Sequence, residues 1–157
     1  MHLHRYEKYW LIFGVGTLVV FLSVIGFTAF AHGHHPPSHM ATVDAENVRA
    51  SAPFDEPGLK KIDENTYEAT IIAMTFGYEP NKITVPKGST VKFQLTSQDV
   101  VHSFTIPKTN VNMMITPGHI NQSEHTFKEA GSYLVLCNEY CGIGHQNMQM
   151  EIEVTDE

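Results

Sequence analysis

The chain has 157 residues and carries 10 Lys and Arg against 17 Asp and Glu, a formal net charge of −7. Its length suits one domain of ordinary size plus an appendage, because domains usually run about 100 to 150 residues. The acidic balance sets aside a nucleic-acid binder, which needs a basic patch for phosphate.

The first nine residues are slightly basic through Arg5 and Lys8 against Glu7. Then comes WLIFGVGTLVVFLSVIGFTAFA, Trp10 to Ala31, with no charge anywhere along it. Roughly 20 apolar residues wound as a helix cross the hydrocarbon core of a bilayer. A soluble core helix would show a polar stripe, whereas this segment offers only Thr17, Ser23 and Thr28. The small-residue pattern Ala29-Phe30-Ala31 suggests a cleavable signal peptide instead, but the apolar run exceeds the roughly 7 to 15 residues of such a leader. The composition predicts a transmembrane helix over residues 10–31. Arg5 and Lys8 precede the span and the next cationic residue is Arg49, so residues 1–9 are expected in the cytoplasm and the rest of the chain outside. Gly16, Ser23 and Gly26 fall near one helix face, where a second helix has room to approach.

Residues 32–64 mix proline, histidine and acids without a sustained period and read as a linker. His32, His34, His35 and His39 have no thiol or carboxylate arrangement to fix them as a metal site, and an incidental exposed run accounts for them. Everything after Phe30 carries 16 acids against 8 Lys and Arg. Such a surface steers a basic partner by long-range attraction and equally serves solubility.

From Asn65 the pattern changes to short strands separated by turns, which predicts an all-β domain over residues 65–157. Tyr67 to Met74 is rich in strand formers. Val91, Phe93 and Leu95 alternate with Lys92 and Gln94, Tyr133 to Leu136 runs apolar, and Met150, Ile152 and Val154 alternate with Glu151 and Glu153. Turns are signalled at Pro86-Lys87-Gly88, Thr116-Pro117-Gly118 and Lys128 to Gly131. The length is enough for a two-sheet core.

The stretch CNEYCGIGHQNM, Cys137 to Met148, holds both cysteines of the chain together with His145 and Met148. A disulfide between Cys137 and Cys141 would close a tiny loop and leave the histidine and methionine without a role. A metal accounts for all four, because thiolate, imidazole and thioether form the ligand set of copper. One loop can hardly surround a metal, and VVHSFTI supplies a further ligand: His102, Phe104 and Ile106 share a strand face by period two, so His102 points inward. His119 and His125 lie in or beside a turn and are expected to be solvent-exposed. A mononuclear blue-copper site needs one thiolate and leaves Cys137 surplus. Two bridging thiolates instead make a binuclear centre, with His102 and His145 terminal, Met148 weakly axial on one metal and a main-chain carbonyl on the other.

This motif, with the upstream VVHSFTI, resembles subunit II of haem-copper terminal oxidases, the cytochrome c oxidase subunit that carries the mixed-valence copper A centre. The single predicted span is similar to the short form found with compact B-type prokaryotic oxidases. The resemblance implies a cupredoxin-like Greek-key β-sandwich on one transmembrane helix, held on the outer face of a prokaryotic cell membrane. It implies that Cys137 and Cys141 bridge two coppers, that His102, His145 and Met148 complete the ligand set, and that Glu139 donates its backbone carbonyl. It further implies that the Glu139 carboxylate helps hold magnesium at the contact with subunit I. The expected partners are that haem-containing subunit and a small donor such as cytochrome c. Many relatives admit electrons through a tryptophan-rich stretch, whereas here the matching region is MTFGYEP, which offers Phe76 and Tyr78. The oxygen-reducing site belongs to the partner, so this chain is expected to be a relay with no catalytic residue of its own. Two other readings predict different behaviour: a membrane-anchored mononuclear blue-copper carrier, and a copper-handling module with an exposed, exchangeable site.

Overall fold

The computed structural model describes residues 4–31 and 41–156. They form two compact units, one holding the N-terminal helix and the other running from Met40 onward. The histidine run His32 to His39 lies outside the described residues.

Helix α1, Arg5–Ala31, begins five residues ahead of the uncharged segment. At 27 residues and 1.5 Å rise per residue it is about 40 Å long, enough to cross a hydrocarbon core of about 30 Å. Its most apolar 18-residue window has a mean hydropathy of 2.3, and none of that window is buried in the chain itself. The hydroxyls of Thr17, Ser23 and Thr28 donate to the carbonyls of Phe13, Val19 and Ile25. The few polar side chains of the span therefore need no water. Tyr6, Tyr9 and Trp10 are exposed near its start, as in an aromatic belt at a membrane surface.

The second unit is a two-sheet sandwich. One sheet contains β1 (Gly58–Asp63), β2 (Thr66–Met74), β3 (Gly77–Glu79), β5 (Thr90–Ser97) and β8 (Asn121–Thr126), ordered β1-β2-β5-β8 with β3 also paired to β2. The other contains β4 (Lys82–Pro86), β6 (His102–Thr105), β7 (Asn112–Ile115), β9 (Gly131–Leu136) and β10 (Gln149–Thr155), ordered β4-β10-β9-β6-β7. The parallel contacts β2 with β5 and β4 with β10 arise because the chain crosses between sheets. This is the expected cupredoxin-like Greek-key architecture. Each strand named from sequence is present, with boundaries moved by one or two residues at most.

Period-two alternation explains which faces meet. Ala69, Ile71 and Ala73 of β2 and Val91, Phe93 and Leu95 of β5 pack on Phe104, Val135, Met150, Ile152 and Val154 of the facing sheet. Phe93 sits at the middle, its ring 5.2 Å from Phe104 and 6.5 Å from Phe127, in the tilted and edge-on arrangements that aromatic pairs favour.

The boundary of the folded unit differs from the linker read over residues 32–64. β1 is hydrogen-bonded to β2, and Val48 and Phe54 are fully buried against Ile72, with Val43 and Ile120 beside them. Thr42 bridges to His119, while Arg49 pairs with Glu79 and Gln98. The reason is the double-sided burial of β2: Ile71 and Ala73 face the sandwich core, so Ile72 faces out and needs its own cover. The irregular segment 41–54 supplies it, and irregular chain has no period to betray burial. His119 and His125 are likewise half-buried instead of exposed. His125 lies within β8, edge-on to Phe127 at 4.8 Å and hydrogen-bonded through Nδ1 to Asn110.

Candidate metal centre

Strands β9 and β10 are adjacent and antiparallel, with Leu136 opposite Gln149. The loop between them therefore leaves and returns at one point of the sheet, which brings Cys137 and Met148 together. Inside the loop a short 3-10 turn, His145–Asn147, is held by amide donation from His145, Asn147 and Met148 to the carbonyls of Gly142, Gly144 and His145. This turn folds His145 back toward Cys141, whose Sγ lies 3.5 Å from His145 Nδ1 and 3.6 Å from Met148 Sδ.

Register explains how His102 joins them. Thr105 of β6 faces Leu136 of β9 in an antiparallel pair, so moving back along β6 to His102 means moving forward past Cys137. The Asn138 amide donates to the Ser103 hydroxyl, which pins that alignment. His102, Cys137 and Cys141 are all buried, and their ligand atoms lie within 4.8 Å of one another. The Cys137 thiol donates to the Glu139 carbonyl at 3.2 Å, so that carbonyl also faces the cluster. Every residue named from sequence as a copper ligand is thus at one place: His102, Cys137, Glu139, Cys141, His145 and Met148.

The chemistry of this group fits a soft cation. Both cysteines are free thiols, so the disulfide weighed from sequence is not formed. His102 is fully buried, and its Nδ1 has no hydrogen-bond partner. An orphaned acceptor in a dry site costs about 1–3 kcal/mol unless something else engages it. Burial and the facing Cys137 push the Cys141 thiol up to about 11. A cation bound here must displace that proton, the usual linkage of thiolate sites.

Asp99 is a neighbour of the candidate site that sequence reading missed. Its Oδ1 is 2.7 Å from His102 Nε2, and its Oδ2 accepts from the Thr75 amide at 2.7 Å and the Thr75 hydroxyl at 2.8 Å. Partial burial opposes ionisation, but the bonds from His102, Thr75 and Val100 outweigh it and hold the carboxyl down at about 2. A histidine that gives one nitrogen to a carboxylate, keeps the other unpartnered and lies in a cluster with two thiols has the geometry of a supported metal ligand. The available signal was the three-residue spacing from Asp99 to His102, which a turn aspartate also produces.

The two aromatic residues of MTFGYEP part company. Phe76 is 42% exposed and its ring lies on the ligand loop, where a β-carbon built on Gly142 or Gly144 would stand 3.0 or 2.6 Å from it. Tyr78 is buried and donates its hydroxyl to the Ser103 carbonyl. Burial and the neighbouring Cys137 push that hydroxyl far up, so it stays protonated. Of the two, only Phe76 reaches the surface, and Tyr78 is an internal prop beneath the ligand strand. Tyr140 and Ile143, 78% and 89% exposed, project from the ligand loop itself.

Comparison with known proteins agrees with this geometry. The family described as cytochrome C oxidase subunit II, periplasmic domain, matches residues 62–155. A cytochrome c oxidase subunit 2 of Thermus thermophilus is 40% identical over 147 residues, covering 91% of this chain and 88% of that protein. A chain of a haem-copper terminal oxidase dimer, solved by electron cryo-microscopy, superposes with a TM-score of 0.74 at 31% identity, covering 96% of this chain and all of the other. The crystallised periplasmic domain of subunit II of cytochrome oxidase from Bradyrhizobium japonicum shares the fold, with a TM-score of 0.54 at 21% identity over 57% of this chain and 84% of that one. The apolar helix and the periplasmic family domain mark a membrane-anchored protein with an extracytoplasmic domain. With two buried thiols, an orphaned imidazole nitrogen and this kinship, the chain belongs to the cytochrome c oxidase subunit II family of the haem-copper oxidases.

Proposed function

We propose that the chain is the electron-entry subunit of a cytochrome c oxidase in a prokaryotic cell membrane. It takes electrons singly from cytochrome c or a similar small donor and delivers them to haem in subunit I, where oxygen is reduced to water and protons are translocated. A binuclear copper A centre would be held by Cys137, Cys141, His102, His145, Met148 and the Glu139 carbonyl. The observation that carries this reading is the burial of two free thiols beside His102, whose Nδ1 is orphaned. Such a centre would supply one-electron transfer with the charge spread over both metals.

The protein's own part is rigidity and exclusion of water. His102 stands on a strand, Cys137 at a strand end, and Cys141, His145 and Met148 on a loop braced by its own turn. Ligands held this way hardly move between oxidation states, and soft sulfur with imidazole suits copper in both. Apolar neighbours keep the site dry and, with the Asp99 contact, tune it. Phe76, Tyr140 and Ile143 present an apolar surface directly beside the ligand loop, suited to donor approach, while the acidic balance of the chain attracts a basic donor. The half-buried Glu139 leaves its carboxylate for magnesium at the subunit I contact. Arg5 and Lys8 keep the N-terminus cytoplasmic.

The deciding experiment is copper counting with electron paramagnetic resonance on the full chain in detergent, reconstituted with copper. Two coppers per chain sharing one unpaired electron are expected after oxidation by one equivalent. One localised copper per chain, retained in Cys137→Ser, would establish the blue-copper carrier instead.

A further inference from the structure

Asp99 stands between β5 and β6 and joins two parts of the site that are distant in sequence. One oxygen accepts from the His102 ring at 2.7 Å and from the Val100 amide at 2.7 Å. The other accepts from both the amide and the hydroxyl of Thr75. An ionised carboxylate is an acceptor only, so the proton in its contact with His102 sits on Nε2, and Nδ1 keeps its lone pair. That Nδ1 is buried and has no partner, which leaves it as the ring nitrogen free to serve the cluster that His102 forms with Cys137 and Cys141. Thr75 in turn precedes Phe76, whose ring rests on Gly142 and Gly144 between Cys141 and His145.

Turn-shaping alone would be a simpler role. Ser97 and Asp99 exchange hydrogen bonds within their own turn, and an aspartate that only shapes this turn would leave the imidazole indifferent to its loss. The two bonds to Thr75, 24 residues away, are beyond what such a turn requires.

We propose that Asp99 is a positioning residue that fixes the tautomer and pose of His102 and, through Thr75, seats Phe76 on the loop carrying Cys141 and His145. The surface on which a donor would land is thereby tied to the orientation of a buried ligand. The metal-binding consequence rests on the copper reading above; the tautomer does not, because it exists without metal.

The test uses the full chain in detergent, metal-free, with nitrogen-15 in its histidines, and identifies the His102 resonances by their loss in His102→Gln. The parent chain is expected to show His102 solely as the Nε2–H tautomer, and Asp99→Ala to show a mixture. Copper affinity in Asp99→Ala should fall about 10- to 100-fold, the usual effect of removing an outer-shell partner of a ligand. Thr75→Val should keep the tautomer and change only the surroundings of the Phe76 ring. Asp99→Asn guards against misfolding: its amide is isosteric but offers one acceptor oxygen where the carboxylate offers two. It must lose either the single tautomer or the slow hydrogen exchange of the Thr75 amide. A parent chain with the proton on Nδ1, or an Asp99→Asn chain keeping both features, would overturn the proposal. If copper fails to bind the parent while the tautomer behaves as stated, the copper reading fails and the positioning role stands.

Discussion

Phe76 and Gly144 touch so closely that a β-carbon on Gly144 would stand 2.6 Å from the ring. Gly144 has φ −92°, a conformation open to any residue, so the glycine is required by the ring and not by the backbone. Gly142 is different, because its φ of +129° also falls where side chains are strained. Gly144→Ala should therefore destabilise the chain by about 1–3 kcal/mol through overpacking. In a Phe76→Ala background the same change should cost almost nothing. Denaturant melts of the four chains measure the coupling, and additive effects would show that the contact carries no weight.

The segment before β1 should prove indispensable. Phe54 is fully buried against Ile72 and Val48, and Phe54→Ala is expected to cost about 3–5 kcal/mol. A fragment from Met40 should fold. A fragment from Asn65 lacks β1 and the cover over Ile72, and should be insoluble or loosely packed. Circular dichroism and hydrogen exchange on both fragments check this, and equal stability of the two would contradict it.

Met148 should tune the site without anchoring it. It is buried, with Sδ 3.6 Å from Cys141 Sγ. Leucine fills similar volume at a cost below about 1.5 kcal/mol. If the proposed binuclear copper centre is present, Met148→Leu is expected to keep both coppers and shift the redox potential, since a weakly held thioether tunes a copper site without anchoring it. Copper analysis with voltammetry decides, and loss of copper would make the thioether a principal ligand.

Acid stability should carry a contribution from His125. Burial, with Lys128 nearby, lowers its pKa below the ordinary 6.5. Below 6.5 the unfolded chain takes up a proton there that the folded chain resists, so the unfolded state binds more protons and stability falls with falling pH. Above 6.5 the ring is neutral in both states and the slope vanishes. His125→Gln should flatten this part of the acid limb, measured by urea unfolding across the range; an unchanged slope would place the titration elsewhere.

Much of the candidate site was readable because most of its residues are local. Cys137, Glu139, Cys141, His145 and Met148 lie in one loop, and their spacing is a property of the chain before it folds. His102 was within reach for a related reason, since period two on a short strand assigns a side chain to the core without any partner strand. The strands with clear alternation, β5 and β10, were readable on the same ground, and so was the apolar span, whose length and lack of charge are sufficient for crossing a bilayer.

Asp99, Thr75, Tyr78 and residues 41–54 were not readable, and the cause is common to them. Asp99 resembles any turn aspartate until the chain brings Thr75 beside it; Tyr78 resembles a surface aromatic until β6 supplies the Ser103 carbonyl. Val48 and Phe54 acquire a hydrophobic surface to cover only once β2 presents Ile72 on its outer face. Local spacing and periodicity act through covalent connectivity, so the amino-acid order conveys them directly. Long-range hydrogen bonds and the cover over an outer sheet face depend on which strands pair and in what register, and that pairing exists only in the folded molecule.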